Sequence, residues 1–123
     1  MNELTILVVE PEKKPYVKSI SSGLASLQQE VGGHIQAIYP WEDDFCAIVC
    51  DEEAKLKGKP YNRVLRDGDG DIYDVIAGIF LVVGLSEDNF ASLESRYIQK
   101  YGELFSNPEV FIKDGDSIIV VQS

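Results

Sequence analysis

Phe45-Cys46-Ala47-Ile48-Val49-Cys50 is apolar at every position. A strand with one wet face alternates polar and apolar residues, because successive side chains point to opposite sides. A run with no polar member therefore reads as a central strand buried on both faces. Cys46 and Cys50 stand four apart and so share one face. Extended backbone puts their α-carbons roughly 13 Å apart, beyond disulfide reach. They are expected to be reduced, buried and inert thiols.

Working outward from that strand, Leu4 to Glu10 is rich in β-branched residues and reads as a first strand. Tyr16 to Ile20 returns as its hairpin partner. Ser21 and Ser22 offer helix N-caps, Leu24, Leu27 and Val31 follow at helical spacing, and Gly32-Gly33 supplies the stop. His34 to Tyr39 is a short third strand. Asp51 to Asp71 is polar, with no periodicity that assigns regular structure. Ile72 to Leu85 reads as one long strand region in which Gly78 marks a bulge or a close backbone approach. A second helix fits Ser92 to Phe105, with Leu93, Tyr97, Tyr101, Leu104 and Phe105 on its inner face. Val110 to Ile112 and Ser117 to Val121 form a hairpin around Asp114-Gly115, and the latter strand is an exposed edge at which two chains could pair. The expectation is a single α+β domain over residues 1–123: a mainly antiparallel mixed sheet with two helices packed on one face.

Composition agrees. The chain has 123 residues, 45% hydrophobic and 26% charged, with 5 prolines, which suits a folded domain rather than a disordered chain. No apolar run is long enough to span a bilayer, and Met1-Asn2-Glu3-Leu4 lacks the basic start of a signal peptide, so a cytoplasmic protein is expected. Formal charge is −10, from 21 acids against 11 bases. Such a chain repels nucleic acid and anionic membranes, because both are held through clustered Lys and Arg. Three partners stay open: a protein, a small ligand, or a nucleic-acid-binding protein that the chain engages by mimicking DNA.

Arg66-Asp67-Gly68-Asp69-Gly70-Asp71 imitates the start of a calcium-binding EF-hand loop. The pattern then fails, with Ile72 where glycine is needed and Gly78 where a bidentate glutamate is needed. Asp-Gly dipeptides are ordinary turn formers, and no metal or cofactor is expected. Catalysis has little support. A nucleophile needs a base within hydrogen-bond reach, the cysteines read as buried, and His34 is the lone histidine. Tyr39, Trp41 and Phe45 would suit an aromatic binding wall, although such residues are more often core.

One irregularity in charge stands out. Lys55, Lys57, Lys59, Arg63 and Arg66 occur without an intervening acid, flanked by Asp51-Glu52-Glu53 and by Asp67 to Asp74. A positive island in an acidic protein suits a phosphate or carboxylate, with Tyr61 to stack and Asn62 to read a polar edge. The expected site is Glu52, Glu53, Lys59, Tyr61, Asn62 and Arg63, with Arg63 as the anion contact. The competing and simpler account is that these bases pair with the neighbouring acids and keep a loop soluble.

The ordered set Ile6-Leu7-Val8-Val9-Glu10-Pro11, Leu27 through Val31-Gly32-Gly33, Ile38-Tyr39-Pro40, Cys50-Asp51-Glu52-Glu53, Lys55-Leu56, Pro60, Asn62-Arg63 and Ile72 to Gly78, with Phe80 and Val83-Gly84, resembles a domain-of-unknown-function family, number 3846. The resemblance covers about residues 4 to 105. Gln36 and Ala54 depart from it, where an acid and a glycine are expected. It implies an origin in phages, plasmids or conjugative elements and brings no catalytic residues. The expected function is a non-enzymatic binding protein, monomer or homodimer, of counter-defence or accessory type, taking an anionic, nucleotide-like ligand or a protein. The alternatives are a DNA mimic that inhibits a nuclease or restriction enzyme, and an uncharacterised enzyme.

Overall fold

The computed structural model describes residues 3–122, so the reading of Met1 and Asn2 lies outside the described residues. A sheet with strand order β2-β1-β7-β4-β3 forms the body of the fold. It is built from β1 (Glu3–Val9), β2 (Tyr16–Ser21), β3 (Ile35–Ile38), β4 (Cys46–Asp51) and β7 (Phe80–Leu85), and every neighbouring pair is antiparallel. The short β8 (Phe90–Ala91) pairs with the end of β7. Two further hairpins form their own two-stranded sheets: β5 (Tyr61–Arg66) with β6 (Ile72–Ala77), and β9 (Glu109–Asp114) with β10 (Ser117–Gln122). The α+β class and the antiparallel sheet are as expected.

The helices lie on opposite faces of the sheet, which corrects the expectation that both cover one. Helix α1 (Leu24–Val31) buries Leu27 and Val31 with Ile6, Val8, Ala47, Val49, Leu81 and Val83. Helix α2 (Ser95–Leu104) buries Tyr97 and Tyr101 with Leu7, Val9, Cys46, Ile48, Phe80 and Val82. Alternate residues of β1, β4 and β7 thus enter different cores. This two-sided burial is why those strands carry unbroken apolar runs.

Local boundaries follow local chemistry. Helix α1 starts at Gly23 rather than at a serine, with no side-chain cap, and ends at Gly32 in the left-handed conformation, φ 78°. Leu104, expected in the core, is 59% exposed, and Phe105 just past the helix end is buried instead. The long strand expected over Ile72 to Leu85 is two strands in different sheets. Gly78, at φ 74°, turns the chain between them, with its N–H bonded to the Pro60 carbonyl at 2.8 Å. Among the described residues no helix is long and apolar enough to cross a membrane.

Candidate functional site

The positive island of the sequence runs from Lys55 to Arg66, and the structure shows where each of its bases goes. Asp51 closes β4 with its carboxylate buried. It accepts Lys59 Nζ at 2.7 Å, Lys57 Nζ at 2.9 Å and the Glu53 N–H at 3.0 Å. Burial pushes the Asp51 pKa up, but the two lysines and the backbone donor outweigh it and hold the group well below the usual carboxylate range. Lys59 Nζ also donates to the carbonyls of Val31 (2.9 Å) and Gly32 (3.2 Å) at the C-terminus of α1. Lys55 pairs with Asp74 at 3.2 Å, and Arg66 donates to the Gly70 carbonyl.

Arg63 is 1% exposed. Its guanidinium donates to the carbonyls of Phe105 (2.9 and 3.2 Å), Lys13 (2.7 Å) and Asn62 (3.2 Å), and to Asn62 Oδ1 (2.8 Å). Burial pulls its pKa down, and the charge of Glu109 pushes it back up. Asn62 is likewise buried and donates to the carbonyls of Val9 and Gly78, each at 2.8 Å. A strand should send 62 and 63 to opposite faces. A register shift between Tyr61 and Arg63 turns both inward. The expectation that Arg63 contacts an anion is therefore corrected. It joins the end of α2, the β1–β2 turn and β5, and faces no solvent.

The six expected residues are not brought together. Glu52 and Glu53 are exposed, with Glu52 on the rim of a recess of about 230 Å³ beside Lys55 and Asp74. Lys59 sits at the end of α1, Asn62 and Arg63 are internal, and Tyr61 packs against Phe111 beneath the β9–β10 hairpin, ring centroids 5.6 Å apart. The Asp67 carboxylate accepts the N–H groups of Asp69 and Asp71 within its own turn, as an Asp-Gly turn should. Cys46 and Cys50 are free, buried thiols, each pushed up to about 11, mainly by burial, so neither is a ready nucleophile.

The aromatic wall divides. Trp41 belongs to the core, stacked on Tyr101 at 3.9 Å between centroids. Burial, followed by its hydrogen bond to the Asp44 carboxylate, drives the Tyr101 pKa well above the ordinary phenol value. Tyr39 and Phe45, by contrast, are 61% and 75% exposed. Together with Phe90, Glu87 and Asp88 they line a recess of about 430 Å³ at the end of the sheet. Exposed apolar side chains that cluster with a polar rim are a feature of interaction surfaces. The polar segment 86–89 gave no hint of it, because its acids meet Phe45 through the pairing of β4 with β7 and Tyr39 through the further pairing of β3 with β4.

These features define an α+β protein whose antiparallel sheet is covered on both faces, with an open aromatic recess at one end. The chain belongs to the family described as a domain of unknown function, DUF3846, which matches residues 3–106. The matched segment runs from β1 through α2 and stops short of the β9–β10 hairpin. No curated protein and no solved structure matches the chain.

Proposed function

We propose that the protein is a non-enzymatic binding module that docks a basic segment of a partner protein on the recess formed by Tyr39, Phe45 and Phe90. The observation that carries this reading is the exposure of Phe45 beside Glu87 and Asp88. Aromatic faces flanked by carboxylates suit Lys and Arg side chains, which combine cation–π contact, apolar stem packing and charge pairing. The anionic-ligand reading lost its support when the bases of residues 55–66 proved to be engaged within the fold. In the mobile-element setting that the sequence resemblance implies, such a partner would be a host defence or accessory protein.

Fluorescence anisotropy of a labelled Lys/Arg-rich peptide tests the proposal. Binding should weaken with salt, because surface ion pairs are screened. Phe45→Ala should weaken it at least about tenfold, as expected for an interface anchor, with a melting curve close to that of the parent. Equal binding by Phe45→Ala, or none by the parent, defeats the reading. The DNA-mimic alternative has its own support. Many of the chain's acids, among them Glu42, Asp43, Glu52, Glu53, Glu87 and Asp88, are exposed, so the acidic excess lies at the surface. A mimic predicts the opposite pattern: Phe45→Ala without effect, and binding to a nuclease lost stepwise as acids are replaced.

A further inference from the structure

Glu109 opens β9 and is 8% exposed. Its Oε1 accepts the Val64 N–H at 3.0 Å, while Oε2 is sealed from solvent and has no hydrogen-bond partner among the described residues. A buried carboxylate oxygen without a donor is costly and rarely left so. The base that its charge reaches is Arg63, but the Arg63 donors are committed to Phe105, Lys13 and Asn62. Among the described residues no donor is left for this acceptor.

Glu109 lines a pocket of about 370 Å³ between the β9–β10 hairpin, the β1–β2 turn and the start of β5. Its wall is mostly apolar: Pro11, Pro60, Tyr61, Phe111 and Ile118 contribute, and the Tyr61 and Phe111 rings form a tilted pair. Glu12 and Lys113 add one charge of each sign. A mostly apolar pocket of this size with a few polar groups is the usual form of a small-molecule site. A buried carboxylate as that group selects a cation, because charge-assisted hydrogen bonds are the strong ones. Aromatic faces and the overall charge of −10 favour the same sign.

We propose that this pocket binds a small organic ammonium, its apolar body against Tyr61, Phe111 and Pro60 and its N–H on Glu109 Oε2. Oε2 is closed off in this structure, so the proposal requires β9, which packs on β5, to shift and admit the donor. The pocket shares no residue with the Tyr39–Phe45 recess and stands independently of the function proposed there. Half its wall comes from the hairpin beyond the matched family segment.

Val64 makes the site readable, since its N–H is bonded to the same carboxylate. The full-length ¹⁵N-labelled chain is titrated with phenethylamine and, separately, with 2-phenylethanol, which has the same shape without the charge. The expected result is saturable amide shifts at Val64, Tyr61 and Phe111 with phenethylamine, and at least about tenfold weaker binding of the alcohol. Glu109→Gln keeps an oxygen for the Val64 N–H and should abolish the preference for the amine. Should that variant misfold, Tyr61→Ala, which leaves Glu109 intact, should weaken phenethylamine binding. Equal binding of amine and alcohol overturns the proposal, as does unchanged amine binding in a folded Glu109→Gln or Tyr61→Ala variant. So does the absence of saturable shifts at millimolar amine.

Discussion

At the scale of single residues, Arg63 has the most consequential environment. Five hydrogen bonds leave its guanidinium, all to groups within the fold. Arg63→Ala strips the Phe105 and Lys13 carbonyls of that donor and opens a void in a packed interior. The expected loss is about 3–5 kcal/mol, the range for breaking a buried charged network. A solvent-facing ligand contact or a surface ion pair would instead change stability by about 0–1 kcal/mol. Urea unfolding of the two proteins separates these outcomes: a midpoint lowered by a molar or more supports the internal role, and an unchanged midpoint refutes it. Nothing in the order Tyr61-Asn62-Arg63 announces this. Polar residues in succession read as surface, and only the local register shift turns both Asn62 and Arg63 inward.

At the scale of elements, α1 depends on groups far away in the chain. It has no side-chain cap at its start and no basic residue in its last turn. Its final carbonyls are met instead by Lys57 and Lys59, both anchored on Asp51. The simpler sequence account, bases pairing with adjacent acids, was thus right for Lys57 and Lys59 in kind, but the helix end they also serve was not legible from spacing. A pH dependence follows. The folded-state pKa of Asp51 is depressed, so its contribution is present above the unfolded carboxylate value near 4 and fades as pH falls below it. Asp51→Asn should be clearly less stable than the parent at pH 7, and the gap in denaturation midpoint should narrow below about pH 4. A gap that is constant with pH would show that the Asp51 charge contributes nothing to stability.

At the scale of the whole molecule, the apolar run Phe45 to Cys50 carried more information than the periodicity of either helix. Burial on both faces requires a cover on each, and two helices supply one apiece. Strand β5 was illegible for the opposite reason: Asn62 and Arg63 are polar by sequence and buried by structure. The β9–β10 hairpin was legible from its turn and its β-branched residues, yet its place in the fold was not. Val110, Ile112, Ile119 and Val121 all face outward, and no strand pairs with the far edge of β10 among the described residues. An isolated two-stranded hairpin is marginal in water, so this one leans on the body through the Tyr61–Phe111 contact and the Val64–Glu109 bond. The dependence should run one way. Neither core cluster contains a residue of β9 or β10, so a chain ending at residue 108 should keep both cores. It loses the acceptor of the Val64 N–H and exposes Tyr61, which together should destabilise it by about 1–3 kcal/mol without unfolding it. Circular dichroism melts and near-ultraviolet spectra of the shortened chain test this. A cooperative melt at a lower temperature, with the aromatic signal of Trp41 and Tyr101 retained, is expected. Loss of that signal would mean that the hairpin is part of the folding unit rather than an element built upon it.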